Sequence, residues 1–189
     1  MNNFKDIVSR NNGWVSIEDL VGYKKIGKGS DGSIFQISPE KCIKIFEKEE
    51  TFQNELLAYQ AGKSSSVIPT LYEYGRNYIV IEFINGPSLR HYLKSEKELS
   101  ESTAQKLLFM LDEFKRIGFT RLDTQIRHIF INELGEIKVI DHKRAFSRKT
   151  NAPVRLLKDL RKIGFLDEFL EYVEIFSWSL YNEWKSLAY

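Results

Sequence analysis

Residues 27–35 read GKGSDGSIF and place three glycines, Gly27, Gly29 and Gly32, at the spacing G-x-G-x-x-G. This spacing is found where the backbone approaches phosphate groups, because glycine has no side chain to hold a ligand away. It occurs in two contexts: a turn that leads from a strand into a helix, and a hairpin between two antiparallel strands. A glycine-rich surface hairpin without a ligand gives the same pattern, so the neighbouring sequence has to distinguish three possibilities.

The segments on both sides of these glycines are strand-like. YKKIGKG (residues 23–29) comes first, SIFQIS (33–38) follows, and KCIKIFE (41–47) comes after the turn signal SPE. A turn that binds a dinucleotide would need an amphipathic helix that begins at Gly32, and the sequence has none there. The pattern therefore predicts an antiparallel hairpin, which we call the glycine hairpin (residues 27–32).

The next segments extend this hairpin into a sheet. EETFQNELLAYQAG (residues 49–62) predicts a helix, because its apolar residues recur on one face and Gly62 can end it. TLYEYG (70–75) and NYIVIEFI (77–84) indicate two further strands. Residues 22–84 are thus expected to form a small antiparallel sheet with one inserted helix.

The second half of the chain is helical in pattern. SESTAQKLLFMLDEFKRIG (residues 100–118) predicts a long helix with Ser100 and Gly118 as its caps, and SLRHYLKSE predicts a short one before it. HIFINELGEIKVID indicates a hairpin of two short strands. The tail from Val154 has apolar residues at helical spacing, and Gly164 is expected to divide it into two helices. The fold class is therefore α+β, with a β-rich half, a connection near NGPS and a helix-rich half.

Composition limits the classes of partner. The chain has 189 residues, 42% hydrophobic and 29% charged, as in an ordinary globular protein of one domain or two small lobes. Its formal charge of +2 is too small to argue for nucleic acid as a partner. The single cysteine, Cys42, excludes an internal disulfide and a multi-cysteine zinc site, which fits a reducing compartment.

A membrane partner is not expected either. The amino-terminal MNNFKDIVSR lacks the apolar core of a secretory signal. The longest apolar stretch, YIVIEFI, carries Glu82 and is far shorter than the ~20 residues that span a bilayer. We therefore expect a cytoplasmic protein that binds neither nucleic acid nor membrane.

Four charged residues are of the types that phosphoryl transfer from a nucleotide requires: a lysine for the phosphates, an acid to hold it, and carboxylates for the hydroxyl and for a cation. Lys44 lies on the strand CIKIF, and Glu55 lies in the middle of the following helix, where it could hold the lysine in an ion pair. Asp123 follows the long helix, and Asp141 ends the apolar strand IKVI, where a carboxylate can hold a cation. Each taken alone has an ordinary alternative: an exposed strand lysine, a solvated helix glutamate or a turn aspartate.

Taken together, the glycine hairpin, Lys44, Glu55, the segment VIEFINGPSL, Asp123 and Asp141 resemble the protein-kinase-like superfamily over about residues 22–150. The resemblance is to small bacterial serine/threonine kinase-like proteins and to their relatives among the Rio, sugar and aminoglycoside kinases. It implies a two-lobed fold with ATP in the cleft. Residues 1–21 would be an amino-terminal extension, 22–84 the β-rich N-lobe, and 85–189 a reduced helical C-lobe.

The resemblance also implies a role for each candidate residue. The glycine hairpin and Ile34 would cover the nucleotide, Lys44 would contact its phosphates, and the backbone from Glu82 to Ile84 would bind adenine. Asp123 would orient the acceptor hydroxyl, and Asp141 would bind Mg²⁺ or Mn²⁺. The implied activity is transfer of the γ-phosphoryl group of ATP to a serine or threonine hydroxyl on a protein. A small-molecule kinase, or a pseudokinase that acts as a nucleotide-binding or scaffold module, remains an alternative.

Three positions depart from the superfamily pattern. The triplet H-R-D appears as Arg121-Leu122-Asp123, and D-F-G appears as Asp141-His142-Lys143. The asparagine that would bind a second metal is replaced by His128, whose imidazole favours Mn²⁺ over Mg²⁺ or only makes a hydrogen bond within its loop. The segment HKRAFSRKT (residues 142–150) is basic, which indicates either a patch for an acidic partner or a solvated loop.

Overall fold

The β-rich half is one antiparallel sheet. A computed structural model describes residues 4–29 and 31–188 of the chain. Five strands pair in the order β1-β2-β3-β5-β4. The strands are β1 (Lys24–Gly29), β2 (Gly32–Ser38), β3 (Lys41–Phe46), β4 (Leu71–Tyr74) and β5 (Tyr78–Glu82). All five strands that the sequence predicts are present.

The glycine hairpin connects β1 and β2, with Gly29 paired to Gly32 at its closed end. Gly32 has a φ of +151°, and a Cβ at this position would lie 1.8 Å from the carbonyl oxygen of Ile45 on β3. Only glycine allows such a close approach of two strands. The third glycine of the pattern is therefore required by the packing of the sheet itself.

One face of the sheet packs against helix α2 (Glu49–Ala61), the helix that the sequence predicts after β3. Phe52 of this helix meets Phe46 of β3 edge to face, with ring centroids 5.6 Å apart. Leu56 and Tyr59 are buried on the same side of α2. This face belongs to the larger hydrophobic core, which continues into the helical half.

The opposite face of the sheet is covered by the amino-terminal extension. Helix α1 (Phe4–Arg10), which the sequence pattern did not predict, and a short 3₁₀ turn (Glu18–Leu20) lie in this region. The Asn77 side chain holds the extension through both backbone groups of Val15, at 3.0 and 2.8 Å. A second core forms here from Phe4, Ile7, Val15, Leu20, Phe35, Ile43, Ile45, Tyr78 and Val80.

The helical half begins with α3 (Leu89–Glu96) and α4 (Glu101–Ile117). As predicted, the Ser100 hydroxyl accepts a hydrogen bond from the Thr103 amide, and Gly118 ends α4 in the left-handed conformation at φ +87°. A two-stranded hairpin, β6 (Ile129–Ile131) and β7 (Ile137–Val139), follows. Among the helices within residues 4–29 and 31–188, none is long and apolar enough to cross a bilayer.

The carboxy-terminal tail differs from the prediction. It forms three helices where the sequence predicts two: α5 (Val154–Ile163), α6 (Leu166–Phe176) and α7 (Trp178–Ala188). The break at Gly164 is as predicted, whereas the additional break is at Ser177, which is extended at φ −159°. The Ser177 hydroxyl accepts from the Leu180 amide at 3.4 Å. Ser177 therefore caps α7 and ends α6, although the apolar residues keep their helical spacing on both sides of it. That spacing is why the sequence pattern did not show the break.

Candidate active site

A buried ion pair lies on the face of β3 that points away from the amino-terminal extension. Lys44 Nζ donates a hydrogen bond to Glu55 Oε2 at 2.5 Å. The side chains of Lys44 and Glu55 are only 12% and 1% exposed. Burial raises the pKa of Glu55, and the Lys44 charge opposes that rise. The pair forms because strand alternation turns Lys44 away from Ile43 and Ile45, toward the buried side of α2.

The glycine hairpin lies next to this lysine in the sheet. Ile34 is directly opposite Lys44 in the β2–β3 register, and Gly27 is opposite Ile34 in the β1–β2 register. Ile34 is partly buried against the larger core. The hairpin glycines, one apolar side chain and Lys44 thus occupy neighbouring positions on three adjacent strands.

Lys143 links the hairpin to the segment after β7. Its Nζ donates a hydrogen bond to Asp31 Oδ2 near the closed end of the hairpin, and it lies 3.7 Å from Asp141 Oδ1. Burial opposes the charged form of Lys143, but the Asp31 hydrogen bond and the Asp141 charge outweigh it and raise its pKa. The ammonium therefore stays charged between two carboxylates from opposite sides of the cleft.

Asp141 has an unusual backbone conformation. Its φ is +66°, one of the few positive values in the described chain that do not belong to glycine. Such conformations cost free energy and concentrate at functional sites. Its Oδ2 lies 3.6 Å from His128 Nδ1, and its side chain remains 25% exposed. The carboxylate is thus held in place while still open to a ligand.

His128 is neutral in this setting, because burial lowers its pKa despite the nearby Asp141 charge. Arg127 Nε donates a hydrogen bond to His128 Nε2 at 3.1 Å. In a neutral ring this bond places the proton on Nδ1, the atom that faces Asp141. To bind a metal beside Asp141 through Nδ1, His128 would need its ring proton on Nε2 instead. The role of His128 as a metal ligand stays a prediction.

The donor set fits a metal ion that is bound mainly through a nucleotide. The described residues contain no group of three or more His, Cys, Asp and Glu side chains that could hold a metal by themselves. Asp141 offers hard carboxylate oxygens, and Mg²⁺ is commonly bound by one or two carboxylates together with phosphates and water. Asp141 could hold Mg²⁺ or Mn²⁺ in this way once phosphates complete the coordination.

Asp123 lies in the segment between α4 and β6, and its side chain contacts the amino-terminal end of α5 and two arginines. Its Oδ1 accepts a hydrogen bond from the Arg155 amide at 2.5 Å, and its Oδ2 lies 3.5 Å from Arg155 Nε. A guanidinium nitrogen of Arg121 is 3.7 Å from the same Oδ2. Burial lowers the pKa of Arg121, although the Asp123 charge acts in the opposite direction. The carboxylate is 11% exposed, so a substrate could reach only a small part of it.

The predicted hinge is only partly free to bind a ligand. The Glu82 amide donates to the Thr70 carbonyl at 2.9 Å, and the Phe83 amide donates to the Glu40 carbonyl at 2.8 Å. The Ile84 amide makes no hydrogen bond within the described part of the chain. Among the amides of Glu82, Phe83 and Ile84, that of Ile84 is therefore the one without a partner in the described residues.

The predicted residues fall into two groups. Electrostatic interactions connect Glu55 with both Lys44 and Asp141, and connect His128 with the same two residues. The charges of these four side chains are therefore close enough to influence one another. Asp123 has its close charged contacts with Arg121 and Arg155 instead.

His142 is a core residue and does not belong to the basic patch considered for residues 142–150. It is only 5% exposed, and its Nε2 lies 2.7 Å from the Val139 carbonyl oxygen. Its ring contacts Tyr59 of α2 and Phe114 and Phe119 at the end of α4. Burial lowers its pKa to about 4, so the ring is neutral. His142 thus fixes the segment next to Asp141 against the core.

Known proteins with related sequences are kinases by name. No protein-family model matches the chain. It is 28% identical over 130 residues to the "Putative serine/threonine-protein kinase YrzF" of Bacillus subtilis, with 66% of this chain and 60% of that protein covered. It is 23% identical over 143 residues to the human "Hormonally up-regulated neu tumor-associated kinase", with 65% and 20% covered. The Caenorhabditis elegans "Ribosomal protein S6 kinase beta" is 23% identical over 151 residues, with 67% and 28% covered.

A solved structure shows the same architecture. WbdD, crystallised with the kinase inhibitor LY294002, superimposes with a TM-score of 0.56 at 16% identity over 72% of this chain and 36% of that one. The chain is thus similar to protein kinases in sequence and shares its fold with a kinase structure. The α+β architecture, with its antiparallel five-stranded sheet and helical half, fits the two-lobed kinase fold that the sequence predicts. The matched region makes up 60% of the Bacillus relative and a smaller share of the two animal kinases.

Sequence reasoning missed the contacts that charged residues make across the cleft. It did not assign a role to Asp31 or Arg155, and it considered Lys143 as a departure from the superfamily pattern and as part of the basic segment 142–150. The available signal was an acidic residue within the hairpin and a basic residue two positions after Asp141. Such a charge pattern does not give the distance between the two residues. The Lys143–Asp31 ion pair could therefore be recognised only in the structure.

Proposed function

We propose that this chain is an ATP-dependent phosphotransferase that transfers the γ-phosphoryl group to a serine or threonine hydroxyl of a protein. The observation that carries the proposal is the buried Lys44–Glu55 ion pair beside the glycine hairpin. Burial of two charges costs desolvation free energy, and the pair holds the Lys44 ammonium in a fixed position. A fixed cation next to a glycine-lined backbone is what nucleotide phosphates require.

The other residues have consistent roles in this reaction. Ile34 and the free amide of Ile84 would hold adenine, and the phosphates would lie against Lys44 under the hairpin. Asp141 would hold Mg²⁺ or Mn²⁺, which when bound neutralises charge on the phosphate oxygens. The exposed fraction of Asp141 and its fixed backbone support this role.

Asp123 would orient the acceptor hydroxyl and accept its proton, a role worth about 10²–10⁴ in rate. The Arg155 amide fixes Oδ1, which leaves Oδ2 as the atom that an acceptor would meet. Arg155 Nε and Arg121 approach this Oδ2 from the protein side at 3.5 and 3.7 Å. Neither contact is as short as a hydrogen bond, so a substrate hydroxyl could still use the oxygen.

Two observations favour a second candidate, a pseudokinase that binds nucleotide or acts as a scaffold without transfer. Asp123 is engaged with two arginines, and Lys143 lies beside the carboxylate proposed for the metal. A small-molecule acceptor is also compatible with the site, because no described segment identifies the acceptor.

The deciding experiment is transfer of radiolabelled phosphate from ATP to the chain itself, to a generic protein acceptor and to an aminoglycoside. We expect label on protein, lost in Lys44→Met and in Asp123→Asn. Asp112→Asn is the matched control, because Asp112 is an exposed aspartate on α4 that pairs with Lys115 alone in the described chain. Thermal stabilisation by ATP without any transfer would support the pseudokinase, and label on the aminoglycoside alone would support the small-molecule kinase.

A further inference from the structure

Lys143 carries a cation into the region where nucleotide phosphates are proposed to bind. Its Nζ contacts the Asp31 carboxylate near the hairpin end and lies 3.7 Å from Asp141 Oδ1. The side chain is 24% exposed, and those of Asp31 and Asp141 are 17% and 25% exposed. The ammonium is therefore sheltered but still accessible to a ligand that enters the cleft.

This arrangement places Lys143 in competition with a metal ion at Asp141. A divalent cation bound to Asp141 would lie within a few ångströms of the ammonium, and the two like charges would repel one another strongly at low dielectric. A metal ion would also need the carboxylate oxygens of Asp141, whose negative charge Lys143 already partly neutralises. Metal binding at Asp141 is consequently weaker with Lys143 present than it would be without it.

An ammonium group can itself connect a carboxylate to a phosphate. Lys Nζ has three N–H donors and no acceptor. Lys143 uses one donor for Asp31 and lies 3.7 Å from Asp141 without a hydrogen bond to it, which leaves donors for a phosphate oxygen. Together with Lys44, Lys143 gives the cleft two fixed cations that approach from different strands and loops.

We propose that Lys143 joins the nucleotide phosphates to Asp141 when no metal ion is bound, so that the chain binds ATP without metal ions even though the transfer step uses the metal at Asp141. This inference rests on the proposed nucleotide site. It concerns binding alone, and it assigns to Lys143 the role of joining the phosphates to Asp141.

The test is the affinity for a fluorescent ATP analogue, measured in excess EDTA and in saturating Mg²⁺. For the unaltered chain we expect the two affinities to agree within about threefold. For Lys143→Met we expect an affinity at least about tenfold weaker in EDTA, recovered by Mg²⁺. Lys143→Arg should keep metal-independent binding, and Lys149→Met, an exposed lysine of the same segment, should behave as the unaltered chain.

Asp31→Asn separates this role from a purely structural one. If Lys143 only ties the hairpin to the opposite lobe, Asp31→Asn and Lys143→Met will weaken binding equally in EDTA and in Mg²⁺, and the inference is wrong. The inference also fails if the unaltered chain requires Mg²⁺ and Lys143→Met does not change that requirement. Absence of binding in both conditions, for a chain whose circular dichroism shows it folded, overturns the proposed nucleotide site as well.

Discussion

Lys138 of β7 donates a hydrogen bond to the Glu82 carboxylate at the end of β5, with 3.1 Å between Nζ and Oε2. The ion pair joins the two lobes directly beside the hinge. Both side chains are sheltered, at 11% and 21% exposure, and the Thr70 amide donates to the same Oε2. The contact ties the end of β5 to β7.

Removal of this bridge should destabilise the protein. We expect Lys138→Met to lower the free energy of unfolding by about 1–2 kcal/mol, because Glu82 loses a charged partner in a sheltered place. Chemical denaturation measures this change. Lys115→Met is the matched control, since Lys115 and its partner Asp112 are 49% and 72% exposed and such pairs contribute little. Equal effects of both substitutions would show that the bridge has no special role.

Gly32 gives a second prediction that depends on geometry alone. Gly32→Ala should destabilise the protein by about 2–3 kcal/mol, because the new Cβ would lie 1.8 Å from the Ile45 carbonyl oxygen at a φ of +151°. Gly27→Ala is the control: its Cβ would meet only the Ile34 side chain, at 3.4 Å. We expect Gly27→Ala to stay within about 1 kcal/mol of the unaltered chain in thermal or chemical unfolding. A tolerated Gly32→Ala would contradict the strand packing.

The Lys44–Glu55 pair predicts a change in pH dependence. Burial raises the pKa of Glu55 above its unfolded value, so the folded chain holds this proton more tightly than the unfolded chain does. Stability from this group is therefore present at low pH and falls as pH rises through the folded pKa. Lys44→Met removes the opposing positive charge, so the fall with rising pH should become steeper. The double variant Lys44→Met, Glu55→Gln should lack this steeper fall of stability. Unfolding curves recorded at a series of pH values measure it.

The sequence predicted those features that depend on short-range pattern. Strand alternation turned Lys44 away from Ile43 and Ile45, and the terminal residues Ser100 and Gly118 capped α4 as expected. Helix α1 was missed because its stability comes from the second core on the sheet, which includes Phe4 and Ile7. That packing partner is distant in sequence and leaves no local signal.

The site was less predictable than the fold for the same reason. The order of Lys44, Glu55 and Asp141 along the chain indicated one site, and the structure brings their charges into mutual reach. Asp123 followed the expected spacing, but its contacts with Arg155 come from α5, which the sequence treated only as an apolar tail. Side chains that neutralise a site can come from any element, and charge composition alone does not select them.

Glu113 on α4 predicts a loss of stability in acid. Hydrogen bonds from Arg116 and then Ser65 lower its pKa to about 2 from the ordinary value of 4.5. Its stabilising contribution is therefore complete above the unfolded pKa and is lost as pH falls through that range toward the folded value. Glu113→Gln should reduce stability near neutral pH by about 1 kcal/mol and have progressively less effect in acid. Asp112→Asn, on the exposed side of the same helix, should leave the acid slope unchanged in thermal unfolding.

His128 predicts a metal preference for the proposed transfer reaction. If its imidazole reaches the metal that Asp141 would hold, the enzyme should turn over faster with Mn²⁺ than with Mg²⁺, because nitrogen ligands suit Mn²⁺ better. His128→Asn offers an oxygen at the same place and should shift the preference toward Mg²⁺. Arg127→Ala should strengthen the Mn²⁺ preference. The substitution removes the hydrogen bond to His128 Nε2, which keeps the ring proton on Nδ1 and so prevents Nδ1 from binding a metal. Steady-state rates with each metal measure all three, and equal turnover in both metals that His128→Asn leaves unchanged would remove His128 from the metal site.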